Sequence, residues 1–208
     1  MSRSKEQKIR LQERTPFLSE EVVELSKWLL GKRLVSVLEG VRTAGRIVEV
    51  EAYGGATDKA CHAHLNRRTR RTEIMYAPGG HAYVYLCYGI HHLFNIVTAP
   101  EGIPHAVLVR GIEPLENVEK MMERRNLDKL EKRLSAGPGV LTQAMGITTE
   151  QDGIDLLQPG SPLWLEDGEA IAEKDIVAAP RIGIDYAEEC ADWPWRFYIR
   201  GNRWVSKK

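Results

Sequence analysis

The chain is poor in the features that would place it in a specialised class. Its 208 residues include three cysteines, Cys61, Cys87 and Cys190, and no CxxC pair. A disulfide framework is therefore not expected, and a reducing cytoplasm is the expected compartment. No apolar run approaches the roughly 18 residues that a membrane helix needs. The opening MSRSKEQKIRLQERTP is charged and lacks an apolar stretch, which argues against a secretory signal. Neither sign of charge dominates, since 29 basic residues balance 29 acidic ones. A P-loop, GxGxxG, GxSxG and HExxH are all missing, which removes the usual signatures of nucleotide binding, serine hydrolysis and zinc proteolysis.

What is present looks like an ordinary soluble protein. At 43% hydrophobic and 28% charged, the chain can bury a real core, and its length suits one domain. Charge is nonetheless uneven. RRTRR places four arginines between Arg67 and Arg71 with no acid among them, and Trp193 to Lys208 carries five basic residues and no acidic one. These read either as solvated basic segments or as a surface for a polyanion. A neutral total is compatible with the second reading, because the field beside a patch is set by local charge.

Residues 1–16 read as a flexible arm ending at Pro16, ahead of a single domain over 17–208. LSEEVVELSKWLLGK predicts a helix capped by Ser19 and ended by Gly31. RLVSVLEG and RIVEVEAYGG predict two strands, and residues 55–80 an irregular polar segment. HAYVYLCYGIHHLFNIVTA predicts a hairpin turning at Gly89. HAVLVRGIEP predicts a strand ended by Pro114, with a helix beginning there, and GPGVLTQAMGI a short helix. PLWLED, IVAAPRIGI and WRFYIRG predict short strands. Strands mixed with few helices, without βαβ alternation, imply an α+β fold on a curved antiparallel or mixed sheet with a protruding hairpin.

The candidate chemistry starts in IVEVEAYGG. On a regular strand Ile47, Glu49, Glu51 and Tyr53 share one face. The two glutamate β-carbons then lie about 7 Å apart, within the range of roughly 6.5–9.5 Å used by paired carboxylates in inverting glycoside hydrolases. Two surface acids would fit the same pattern, although a carboxylate beside Tyr53 also describes a pocket for a flat ligand. His62, His64, His91 and His92 lack metal-ligand spacing, so no metal is expected. Tyr83, Tyr85 and Cys87 share a face of the hairpin, and Tyr83 reads as core. Tyr88 falls at the tip, where it is exposed or inserts into a partner, as apolar wedges do between base steps.

EVEAYGGATDKACH, MYAPGGHAYVYLCYGIHHLFNIV, AVLVRGIEPLE, GPGVLTQAMGI and VAAPRIGI…WRFYIRGNRWVS together resemble the 3-methyladenine (alkyladenine) DNA glycosylase family, over residues 18–206. The resemblance implies a monomeric, monofunctional base-excision-repair enzyme without cofactor. It would flip alkylated or deaminated purines out of duplex DNA and hydrolyse the N-glycosidic bond, leaving an abasic site. By the same resemblance, Glu51 is the general base that activates water. Arg110 helps to position that water, and Ile182 offers it a main-chain carbonyl. Tyr53, His62 and Tyr85 sandwich the flipped base, and Asn95 discriminates against guanine. Tyr88 fills the gap in the duplex, with Ile90 and His91 beside it. Glu49 inherits no role and reads as a supporting or solvated neighbour. Departures from the family pattern are Val140 for a lysine, Thr72 for an asparagine, a missing glycine in LNRR, and Ile90 and His91 in the wedge. They bear on affinity and lesion preference more than on reaction type. The alternatives are a non-catalytic nucleic-acid-binding module and a glycoside hydrolase using Glu49 with Glu51.

Overall fold

The computed structural model describes residues 9–207. Eight strands form one sheet in which every pairing is antiparallel. The strands are β1 (Arg33–Leu38), β2 (Val41–Tyr53), β3 (Ala82–Cys87), β4 (His91–Thr98), β5 (His105–Glu116), β6 (Leu163–Glu166), β7 (Ile176–Ala179) and β8 (Arg196–Ile199). Three α-helices accompany them: α1 (Val22–Leu29), α2 (Val118–Arg124) and α3 (Pro138–Met145). The path runs β3-β4-β5-β2-β1-β6, and β8 joins β2 to β7. The expected α+β class and protruding hairpin are therefore found, without parallel pairs among the described residues.

β2 is the spine. Its first half pairs with β1, residues 49–51 pair with β8, and β5 runs along it from Ala44 to Tyr53. Covered by strands and packed on both faces, β2 is buried almost throughout, so its acids do not lie on a solvated surface. Val48, Val50 and Ala52 join the main core with Phe94, Val107, Val109 and Leu141. α1 packs on that core through Val22, Leu25, Ser26 and Leu29, an i, i+3, i+4, i+7 stripe. Gly31 follows it at φ 86°, where an added β-carbon would lie 2.0 Å from the Glu169 carbonyl oxygen. Ser19 does not cap this helix as expected. Its hydroxyl accepts from the Glu21 N–H, and the helix begins at Val22.

Three other expectations are corrected. Residues 9–16 of the expected arm are held in place: Arg10 bridges to Glu166, Leu11 N–H donates to Leu165 O, and Arg14 pairs with Asp155. Residues 1–8 of that arm lie outside the described residues. β5 continues through Pro114 to Glu116, because a register shift between Ala44 and Gly45 accommodates the proline opposite Gly45. α2 consequently starts only at Val118, after Asn117 in a left-handed conformation. IVAAPRIGI is a strand only as far as Ala179. Pro180 follows, and residues 181–184 leave the sheet for the site.

Residues 55–80 are irregular as expected, with three short 3-10 turns, yet they are not loose. Cys61, Ala63, Met75 and Tyr76 form a second small core with Tyr83, Val97 and Ala106. That core fixes this segment against the hairpin strands and so places His62 beside Tyr83 and Tyr85.

Candidate active site

Glu51 is fully buried on β2, and every group that touches its carboxylate is a donor. Oε2 accepts from the Tyr53 hydroxyl at 2.9 Å and from Arg110 Nη1 at 3.2 Å, while Oε1 accepts from the Ile182 N–H at 2.7 Å. A carboxylate has about four acceptor positions, so one further hydrogen bond can be accommodated. Burial, then the neighbouring Glu51, raises the Tyr53 hydroxyl well above its ordinary pKa of 10.0. Tyr53 therefore remains a proton donor to the carboxylate.

Arg110 serves both acids of the strand. Its Nε lies 3.4 Å from Glu49 Oε1 and its Nη1 3.2 Å from Glu51. Burial opposes its charge, but Glu51 and then Glu49 outweigh that and raise its pKa. Glu49 is itself completely buried, which overturns the solvated reading and leaves the supporting one. It accepts from Arg196 Nη1 at 3.0 Å and from the Ser206 N–H at 2.6 Å and hydroxyl at 2.9 Å. Glu49 thus ties the C-terminal segment to β2. Arg196, counted in sequence among the basic residues of the tail, is a buried counter-ion rather than part of an exposed patch.

Tyr53, Arg110 and Ile182 line a cavity of about 440 Å³, so Glu51 sits one layer behind its wall. The volume suits a small planar ligand. His62, Tyr85 and Asn95 line the same cavity, so the structure brings together all the residues expected to contact a base. The His62 ring meets Tyr85 edge-on, with centroids 4.7 Å apart at 77°. Arg71 Nη2 can only donate, so His62 Nε2 accepts from it at 2.8 Å, and Nδ1 carries the proton toward the Tyr83 hydroxyl, also 2.8 Å away. Burial, with Arg71 and Arg67 nearby, lowers the His62 pKa to about 4. Asn95 is buried, and its Nδ2 donates to the Tyr83 carbonyl at 3.0 Å.

The mouth of the cavity is apolar and prominent. Tyr88 is 91% exposed and Ile90 71% exposed at the hairpin tip. Tyr88 and Gly89 both have positive φ, 51° and 72°, and Ile90 N–H closes the turn on Cys87 O at 3.1 Å. This mirror-image turn matches strand twist, and here it holds a tyrosine out in solvent. His91 is exposed as well but packs beside α3, where a β-carbon on Gly139 would come within 2.9 Å of its ring. Arg67, Arg68, Arg70 and Arg71 are all exposed on the adjoining loop.

One structural element at the site is not legible in the sequence. Arg181 and Asp58 form a bidentate ion pair with both side chains 0% exposed. Arg181 also donates to the Ala52 carbonyl, and its guanidinium lies 4.9 Å from the Tyr53 ring centre and 5.4 Å from that of Trp195. It precedes Ile182 and so fixes the donor that holds Glu51. The only local sign is that each lies close in sequence to a candidate residue; the partners stand 123 residues apart. Among the described residues, no group of three or more His, Cys, Asp or Glu could hold a metal ion. Nor is any helix there long and apolar enough to cross a membrane.

Comparison with known proteins identifies a family. Residues 16–203 match the family model described as methylpurine-DNA glycosylase (MPG). A Clostridium acetobutylicum protein is 50% identical over 197 residues, covering 91% of this chain and 95% of its own. One from Bacillus cytotoxicus is 47% identical over 201 residues, covering 92% and 98%, and one from Bacillus thuringiensis is 46% identical over 199 residues, covering 92% and 97%. All three carry the provisional name 3-methyladenine DNA glycosylase.

Proposed function

The chain belongs to the methylpurine-DNA glycosylase family, and from that premise we propose that it flips alkylated or deaminated purines out of duplex DNA and hydrolyses their glycosidic bond with water activated by Glu51. The observation that carries this reading is the placement of Glu51. It is a buried carboxylate fixed by three donors, directly behind a cavity walled by Tyr53, His62 and Tyr85.

The reaction balances with these groups alone. Water oxygen bonds to the anomeric carbon as the carbon–nitrogen bond breaks, its electron pair leaves with the purine, and the water proton passes to Glu51. A ring-alkylated purine is cationic and leaves as a neutral base, whereas hypoxanthine leaves with the electron pair and takes a proton from solvent water, which balances the proton passed to Glu51. The transition state has oxocarbenium character, as in other glycoside hydrolyses, so a carboxylate near the sugar both orients water and stabilises developing positive charge. Arg110 and the Ile182 carbonyl complete the positioning of the water. Aromatic walls contribute about 1–3 kcal/mol per stacked base without demanding one substituent pattern. Asn95 excludes guanine, and Tyr88, flanked by Ile90 and His91, fills the space the nucleotide vacates. The arginines of the adjoining loop supply affinity for the phosphate backbone. The protein acts as a monomer inside the cell.

A paired-carboxylate glycoside hydrolase is disfavoured, because Glu49 is committed to Arg196 and Ser206. Incubation with duplex DNA containing 3-methyladenine, 7-methylguanine or hypoxanthine, followed by chromatography of freed bases, tests the proposal. Release of free purine without strand cleavage is expected; binding without any freed base would leave only a nucleic-acid-binding module.

A further inference from the structure

The charges on the cavity wall bear on which damaged purines it accepts. Among the described residues, Arg71 and Arg110 are the side chains of permanent charge that line it, and no carboxylate does. The charge of Arg110 is met from behind by Glu49 and Glu51. Arg71 has no such counter-ion among the described residues: its hydrogen bond goes to the neutral His62, and its guanidinium lies 5.1 Å from the centre of the Tyr85 ring. All three aromatic groups expected to contact a base thus touch a guanidinium, but that of Arg181 beside Tyr53 is neutralised by Asp58, whereas that of Arg71 beside His62 and Tyr85 is not.

That arrangement treats the two classes of damaged purine differently. Methylation at N3 or N7 gives a cationic base, and the negative face of a tyrosine ring is what would attract it. Here Arg71 already occupies that attraction on Tyr85 and repels a second cation nearby. A deaminated purine is neutral or, for xanthine, readily anionic, and it presents O6 and N7 acceptors. Arginine matches that edge with two parallel donors, the same pairing it makes with guanine in the major groove. Methylation at N7 removes one of the two acceptors, and 3-methyladenine carries an amino group in place of O6.

We propose that Arg71 is a specificity-determining residue that contacts the flipped base and tilts the cavity toward oxo-purines formed by deamination, away from cationic methylated purines. The inference rests on the glycosylase reading, and it assigns that site a preferred substrate class. The basic loop then has two roles, its last arginine contacting the base while Arg67 and Arg70 face the backbone and Arg68 is paired with Glu73.

Single-turnover excision from duplex oligonucleotides carrying hypoxanthine or 7-methylguanine tests it, using wild type, Arg71→Gln and Arg71→Lys. Because Arg71 is exposed, neither variant removes core packing. Arg71→Gln is expected to shift the ratio of 7-methylguanine to hypoxanthine excision at least fivefold toward 7-methylguanine. Arg71→Lys, which retains the charge, should shift it less than Arg71→Gln. An unchanged ratio, or an equal fall on both substrates, would overturn the proposal and make Arg71 a backbone contact or a structural support for His62. A wild type that frees neither base would instead remove the glycosylase reading itself, and this inference with it.

Discussion

The backbone N–H of Ile182 donates to Glu51 Oε1 at 2.7 Å, joining two residues 131 positions apart. The adjacent Arg181 secures that bond from below through its buried pairing with Asp58 and its donation to the Ala52 carbonyl. The proposed base is therefore oriented by a segment that carries no acid–base chemistry of its own.

Removing that support should be costly. Arg181→Met leaves Asp58 buried without its counter-ion, a change that typically destabilises by about 3–5 kcal/mol. Adding Asp58→Asn should recover part of the loss, since no uncompensated charge then remains. Denaturant unfolding measures both. A loss below about 1 kcal/mol, the level of an exposed pair, would show that the ion pair does not hold the segment.

Tyr88→Ala should impair flipping rather than bond cleavage. Unstacking a nucleotide costs a few kcal/mol, least when the base is already unpaired. Excision from duplex DNA is therefore expected to fall about tenfold, with little change on the same lesion in a single strand. A loss below about twofold on duplex DNA would count against Tyr88 as the wedge.

His62 should remain neutral throughout the physiological range. Its pKa falls from the ordinary 6.5 to about 4, through burial first and then Arg71 and Arg67. The unfolded chain takes up the proton first, so stability rises with pH across this window. The contribution is complete above pH 6.5 and is lost as the pH falls toward 4. A titration of the imidazole nitrogens by NMR should give a midpoint near 4, and one near 6.5 would contradict the packed position of His62.

The parts of the site that were legible in sequence are those set by local periodicity. Alternation along β2 placed Glu51 with Tyr53, and Gly89 between two β-rich runs marked the hairpin and its exposed Tyr88. The individual roles came from resemblance to a family, since two glutamates on one face look alike. What separates Glu49 from Glu51 is long-range: Arg196 and Ser206 reach Glu49 from 147 and 157 residues away. Pro114 misled for a related reason. A proline normally ends a strand, but Leu115 is an extra residue in β5 opposite the step from Ala44 to Gly45, and this bulge, visible only through the pairing with β2, lets the proline stay. Arg181 and Asp58 looked like ordinary loop charges, because no pattern around either marks the other.

The central claim is tested most directly by single-turnover excision with Glu51→Gln on duplex DNA carrying a damaged purine, alongside binding to an abasic-site analogue. The substitution keeps the side chain's size while removing its ability to accept the water proton. We predict that base release falls below detection while affinity for the analogue stays within a few-fold of wild type. Excision near the wild-type rate would contradict the assignment of Glu51 as the base that activates water.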